Sequence, residues 1–146
     1  MVYLAFAVAF VCPAFAAAAN SGLGAELKAI EALNQVRTSN GLAPLRPSGT
    51  LGQSANAYAR WMLEHDFFGH QPRIPVASRF HTAGETLAWH SGFRPGPRRT
   101  VRQWMASAPH RAVLLSPAFH MVGMGMERGR LGRRPTTMWV AHLGSR

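Results

Sequence analysis

Three ionisable side chains, His70, Glu85 and His110, each lie at or near the end of a predicted secondary-structure element. Turns and element ends are the places where binding and catalytic residues concentrate. Two neutral imidazoles are good zinc ligands, and a carboxylate can orient one of them through its second ring nitrogen or act as a third ligand. A metal-bound water beside a carboxylate is also a starting point for hydrolysis. The three residues are therefore candidates for a divalent metal site, and Glu85 and His110 are candidates for acid–base chemistry.

The position of His110 predicts its charge. Ser107 or Ala108 can cap a short helix, with Pro109 in the first turn, where a missing amide proton costs nothing. His110 then lies at the positive end of that helix, which disfavours a protonated imidazole. We expect His110 to be neutral near pH 7, with a nitrogen lone pair that can bind a metal or accept a proton.

Two longer helices are predicted to support these residues. In the first, Leu27, Ile30, Leu33 and Val36 recur at three-residue steps after a polar lead-in over residues 20–24, and the helix ends at residues 40–41. A second helix, capped by Ser48 or Thr50, leads into the turn that carries His70. Shorter helices are predicted over residues 76–81 and 98–106 and between residues 107 and 117.

Strands are predicted over residues 84–89, 120–127 and 136–143, with an arginine-rich hairpin loop over residues 129–135. In the second strand Gly123 and Gly125 alternate with bulky residues, so that one face of the strand is bare. A bare face is typical of a strand that another backbone, a helix or a ligand approaches closely.

Polar residues inside these elements need partners. Asn34 and Arg37 lie one turn apart on the first helix and either face a common neighbour or form a solvated flank. Glu85 shares a strand face with Leu87, and a buried carboxylate requires a hydrogen-bond or charge partner.

The first 19 residues carry no charge and end in alanines, which predicts a secretory signal peptide and a secreted protein, periplasmic or extracellular. A retained membrane anchor is the alternative, although Pro13 interrupts the apolar run. Cys12, the only cysteine, lies in this leader. The domain over residues 20–146 therefore has no thiol, no disulfide and no cysteine metal ligand.

The formal net charge is +10, and fifteen of the sixteen cationic residues are arginine because Lys28 is the only lysine. This balance predicts weak, non-specific contact with anionic envelope polymers or a membrane surface. No helix-turn-helix, zinc-finger or RRM pattern accompanies it, so we expect no specific nucleic-acid partner. The chain also lacks HExxH, GxSxG and P-loop motifs, which excludes the enzyme classes that depend on them.

Five motifs occur in a characteristic order: LNQVRTSNGLAPL, FFGH, AGETLAW, VRQWMASAPHRAVLLSPAF and VGMGM. Together they resemble the bacterial SCP-like branch of the CAP superfamily, which includes cysteine-rich secretory proteins, antigen 5 and pathogenesis-related protein 1. The resemblance covers about Ala25 to Gly144. It implies an α+β fold in which a small, mainly antiparallel sheet is covered by helices on both faces, a three-layer α-β-α sandwich.

The resemblance also implies a cleft lined by two histidines and two glutamates. By motif, His70 and His110 correspond to the histidines and Glu85 to the first glutamate, whereas Ser107 occupies the place of the second. Some members hold a divalent cation, typically zinc, on the two histidines, which makes His70 and His110 the expected metal ligands. Others bind sterols or lipids, and the family shares no single reaction. The remaining five histidines match no family site and are expected in the core or on the surface: His65, His81, His90, His120 and His142.

Three functional hypotheses follow. The first is a secreted single-domain protein whose cleft binds a divalent metal or a small ligand such as a lipid, and which acts by binding at the cell envelope or outside the cell. The second is a metal-assisted hydrolase of peptide or envelope material, although Ser107 replaces the obvious second carboxylate. The third is a basic polyanion-binding module with a vestigial cleft. No cofactor is expected to be essential.

Overall fold

The computed structural model describes residues 13–94 and 96–146, so residues 1–12 of the predicted leader, including Cys12, lie outside the described residues. The helices are α1 (Pro13–Ser39), α2 (Gly49–Glu64), α3 (Pro97–Ala106) and α4 (Ala108–Leu114), with a 3-10 turn at Ala77–Arg79. The strands are β1 (Arg46–Pro47), β2 (Thr82–Ser91), β3 (Met121–Leu131) and β4 (Arg134–Ser145). They form one sheet in the order β1-β3-β4-β2, in which only β1 pairs in parallel.

The fold is the predicted α-β-α sandwich, because the sheet buries a different set of side chains on each face. On one face Leu87, Met138 and Val140 pack against α2. On the other face Trp139 and Leu143 join the cluster formed by α1, α3 and α4. Alternation along β4 sends successive side chains to opposite layers. Both faces of the central strands are therefore buried.

The bare face of β3 is covered by α2, as the alternating glycines predict. A Cβ atom added to Gly123 would lie 2.0 Å from the amide nitrogen of Gly52, and one added to Gly125 would lie 2.3 Å from the carbonyl carbon of Ala55. These distances leave no room for any side chain. The two glycines thus allow the α2 backbone to rest directly on the strand.

Arg37 and Asn34 fix α1 in place rather than forming a solvated flank. Asn34 and Leu45 exchange two hydrogen bonds, of 3.0 Å and 2.8 Å. Arg37 is 2% exposed, and burial lowers the pKa of its guanidinium. It donates to the carbonyl oxygens of Ala43 (3.0 Å), Leu114 (2.8 Å), Ser116 (3.0 Å) and Phe119 (3.4 Å). Both residues therefore join α1 to distant loops.

Three predicted boundaries were wrong. Residues 20–24 continue α1 because the preceding alanines favour helix and Ala25 is buried against the sheet. Residues 76–81 form only a short 3-10 turn, since the amide of His81 already donates to Ser145 O at 2.8 Å and begins the sheet pairing. Residues 129–135 are mostly strand around a two-residue turn, in which Gly132 takes a φ of 59°.

Helix starts are otherwise close to expectation. Ser48 caps α2, with its hydroxyl accepting from the amide of Leu51 at 3.4 Å. Ser107 precedes α4, and Pro109 lies in its first turn as predicted. Across the described ranges, none of the helices combines the length and apolar character that a membrane span requires.

Candidate functional site

His142, on the neighbouring strand of the sheet, holds the side chain of Glu85 in place. The two residues are direct partners in the antiparallel register of β2 and β4. Their side chains meet on the face covered by α2, where the imidazole Nε2 lies 2.9 Å from the carboxylate Oε2. The side chain of His142 is 0% exposed and that of Glu85 is 6% exposed. A buried carboxylate thus has the partner that its position requires.

Two consecutive residues complete the surroundings of Glu85. His70 donates from Nδ1 to Oε1 at 2.8 Å, and Gln71 donates from Nε2 to Oε2, also at 2.8 Å. The turn that carries them is fixed by Tyr58, whose hydroxyl donates to Gly69 O at 2.5 Å. Because Nδ1 of His70 is engaged with the carboxylate, Nε2 is the ring nitrogen that remains for a ligand.

The charge of Glu85 follows from competing influences. Burial acts to raise its pKa, but hydrogen bonds from His142, Gln71 and His70 outweigh burial and hold the pKa below its usual range. Glu85 is therefore a carboxylate at neutral pH. With both oxygens engaged by three donors, it is suited to orienting its neighbours.

His110 lies in the first turn of α4, close enough to His70 for the two imidazoles to interact. Burial lowers the pKa of His110, and the His70 charge lowers it further. The predicted neutral state of His110 thus has a more direct cause than the helix end. Ser107 lies at the junction of α3 and α4, where its amide donates to Trp104 O at 3.1 Å and its carbonyl accepts from Arg111 N at 2.9 Å.

The side chains around Glu85 offer few ligands for a cation. In the described part of the chain no group of three or more histidine, cysteine, aspartate or glutamate side chains is arranged to hold a metal ion. The two histidines expected to bind a metal, His70 and His110, would therefore act without a third protein ligand. A two-histidine site would leave at least two coordination positions to water, so its affinity would be modest.

A cavity of about 820 Å³ adjoins this network. It lies between α2 and the segment over residues 67–79, and His70 and Gln71 form part of its wall. Apolar and aromatic side chains supply much of its lining: Ala57, Tyr58, Trp61, Phe67, Pro72 and Val76. Arg73 and Arg79, both exposed, add positive charge to the lining. The cavity is of ligand size and combines an apolar wall with cationic groups.

Two residues of the network were missed by sequence reasoning. His142 was expected in the core or on the surface, and it is buried but also contacts Glu85. The period-two pattern of β4 could have placed it on the face of Met138 and Val140, next to the face of Glu85 and Leu87. Gln71 carried no signal beyond its position after His70.

The comparisons agree with this architecture. The sequence model of the CAP, or Cysteine-rich secretory protein, family matches residues 30–143. "Uncharacterized protein YkwD" of Bacillus subtilis is 35% identical over 109 residues, which cover 68% of this chain and 41% of that protein. The chain thus spans about two fifths of the length of this relative.

Solved structures share the fold at lower identity. An extracellular SCP-domain protein of Bacillus anthracis superposes with a TM-score of 0.68 at 18% identity, covering 86% of this chain and 41% of that one. An outer surface protein of Borrelia burgdorferi gives 0.64 at 23% identity, covering 80% and 89%. Venom allergen-like protein 4 of Schistosoma mansoni gives 0.66 at 13% identity, covering 83% and 88%.

Proposed function

The chain belongs to the CAP, or cysteine-rich secretory protein, family, and on that premise we propose that it acts outside the cell as a binding protein for a small anionic amphiphile. The observation that carries the proposal is the cavity beside His70, which pairs an apolar wall with Arg73 and Arg79. The uncharged leader and the extracellular or surface description of two structural relatives support the location.

The lining suggests how such a ligand is held. Trp61 and Phe67 remain 42% and 43% exposed, so an apolar chain lying against them would remove their surface from water. A carboxylate or phosphate head would pair with Arg73 or Arg79, whose planar guanidinium groups match such oxyanions. The ligand class is therefore a fatty acid or a lipid of similar shape.

A divalent cation is proposed at the edge of the same site. His70 Nε2 and the imidazole of His110 would hold it, with Glu85 orienting His70 from behind. When bound, the cation would supply Lewis acidity and a positive charge toward an anionic ligand head. We do not regard it as essential to the cavity, because the two arginines supply positive charge without it.

Binding is favoured over hydrolysis by the state of Glu85. Its two oxygens accept hydrogen bonds from His142, Gln71 and His70, and its side chain is only 6% exposed, so water has little access to it. Ser107, in place of a second carboxylate, does not supply a base. The hydrolase hypothesis therefore leaves His110 as its candidate base, and in this proposal that imidazole is a ligand of the cation.

The test is displacement of a dansylated fatty acid from the purified protein. Ala57→Trp should fill the cavity and abolish binding, whereas Ala118→Trp, at an exposed alanine outside the cavity, should bind as the wild type does. Arg73→Gln with Arg79→Gln should weaken a fatty acid more than the matching fatty alcohol. Unchanged binding by Ala57→Trp would place the ligand elsewhere.

A further inference from the structure

Seven exposed arginines gather at one end of the sheet, which we name the arginine pole. At this end β2 and β3 finish and β4 begins. The loop after β2 is pinned there, since the Gly92 amide donates to Pro135 O at 2.7 Å and the Thr137 hydroxyl donates to Gly92 O at 2.7 Å. The arginines of the pole are Arg94, Arg98, Arg99, Arg128, Arg130, Arg133 and Arg134.

Neighbouring carboxylates do not balance this charge. Glu127 pairs with Arg60 at 2.8 Å, and Asp66 accepts a hydrogen bond from the amide of Gly132. Glu31 shares a shallow hollow with Arg98 and Arg99. Glu64, near Arg60, is a fourth acid at this end. Four acids therefore face eight guanidinium groups when Arg60 is included. Two of the eight, Arg98 and Arg99, lie in the first turn of α3, where the helix dipole disfavours cations. Placing arginines in this first turn does not stabilise the fold.

Large apolar side chains are exposed at the same end. Phe93, between Gly92 and Arg94, is 52% exposed, and on α1 Leu23 and Leu27 are 55% and 49% exposed. α1 runs parallel to α3, because Lys28 and Glu31 lie beside the start of α3 and Val36 lies beside Val101 and Met105. The turns of α1 before Lys28 therefore extend toward and past the arginine pole.

The first turns of α1 therefore also lie at the arginine pole. They are uncharged from Pro13 to Gly24. Arginines, an exposed aromatic ring and two exposed leucines on an uncharged stretch of helix thus occur together. A soluble polyanion would use the charge but not the apolar groups, whereas an anionic bilayer uses both.

We propose that the arginine pole docks the protein on the surface of an anionic lipid bilayer, with Phe93, Leu23 and Leu27 entering the interface. The guanidinium groups lie at the level of the lipid phosphates, where Arg keeps its charge and pairs with them in a bidentate manner. Docking does not depend on the cavity, so it can be tested independently of the proposed ligand.

The experiment is co-sedimentation of the full chain with phosphatidylcholine vesicles that contain or lack phosphatidylglycerol. We expect binding only to the anionic vesicles, and its loss as salt rises. Arg98→Gln with Arg99→Gln should weaken it by roughly tenfold or more. Arg46→Gln with Arg146→Gln, an equal charge change at the opposite end of the sheet, should weaken it much less. An equal loss in both pairs would mean that net charge alone decides, which would overturn the proposal.

The apolar groups separate a bilayer from a soluble polyanion. Phe93→Ala, and independently Leu23→Ala with Leu27→Ala, should weaken vesicle binding by about tenfold and leave heparin binding unchanged. The exposed Phe68→Ala serves as the control and should change neither. Vesicle binding that is insensitive to both apolar variants would make the pole a polyanion site instead. Ala57→Trp, which fills the cavity, should leave vesicle binding intact.

Discussion

Glu85 and His142 stand directly opposite each other in the β2–β4 ladder, with 2.9 Å between the carboxylate Oε2 and the imidazole Nε2. Through this hydrogen bond the sheet fixes the carboxylate, and the carboxylate in turn fixes His70, the exposed member of the network. The orientation of the accessible imidazole thus depends on a buried residue from the last strand.

Glu85→Gln tests this arrangement. Removing a carboxylate that three donors surround should lower the free energy of unfolding at neutral pH by about 1–3 kcal/mol. Because the folded-state pKa of Glu85 is lowered, its contribution is present above the ordinary value of 4.5 and is lost as pH falls through the folded-state value. The difference between wild type and variant should therefore shrink as pH falls below 4.5. Urea unfolding over a pH series measures it, with Glu31→Gln as the exposed control.

Zinc titration tests the histidine pair. His70→Ala and His110→Ala should each abolish zinc binding in calorimetry, because one imidazole cannot hold the ion. Glu85→Gln should weaken binding by roughly 10–100-fold. We expect His142→Ala to resemble it, since His142 acts through Glu85, while the exposed His81→Ala should have no effect. Binding should weaken as pH falls through the lowered pKa of His110, because a protonated imidazole cannot bind the ion. Zinc that still binds the double variant His70→Ala, His110→Ala would remove the cation from this site.

The close packing of α2 on β3 predicts severe effects of small changes. Gly123→Val and Gly125→Val should each destabilise the fold by at least about 1–3 kcal/mol, because the new side chain meets backbone atoms that cannot move aside alone. Thermal melting measures this. Gly49→Ala, where an added Cβ meets nothing within 4 Å, is the matched control. Equal melting temperatures for all four proteins would show that α2 does not rest on this face.

At position 37 we expect arginine to stabilise the fold more than lysine does. Arg37→Met should cost roughly 3–5 kcal/mol, because it removes the donors of buried carbonyl oxygens. Arg37→Lys should recover only part of that stability, since an ammonium group lacks the planar fork that reaches Leu114, Ser116 and Phe119 together. Guanidinium chloride unfolding measures both. Full recovery by lysine would assign the role to charge alone.

Much of the fold could be predicted because it rests on local patterns. The alternating glycines of β3, the Ser48 cap and the Pro109 start of α4 each have a steric or hydrogen-bonding cause within a few residues. Of the three wrong boundaries, residues 76–81 depend on a distant partner, because the His81 amide pairs with Ser145 O. The other two had local signals that were not used. Alanines before residue 20 favour helix, and residues 129–131 pair with residues 134–136 across a two-residue turn.

The residues of the candidate site also fall into those with a local sequence signal and those without one. His70, Glu85 and His110 were predicted as site residues from residue type, element ends and motif order, and the structure places His70 against Glu85. His142 and Gln71 were missed because their roles come from the cross-strand register and from a turn anchored by Tyr58. Arg37 was left open between two interpretations because its partners, Leu114, Ser116 and Phe119, are 77, 79 and 82 residues away.

Those long sequence separations have a consequence for how the chain acquires its structure. Arg37 on α1 cannot form its hydrogen bond to Leu114 O until that residue has left the ribosome. Likewise, β2 has no partner strand until β4 is synthesised. The nascent chain is therefore without its decisive contacts for nearly the whole of synthesis. Non-local contacts of this kind slow folding relative to a helical bundle of similar size. Such a delay suits a polypeptide whose leader predicts that it crosses a membrane before it folds.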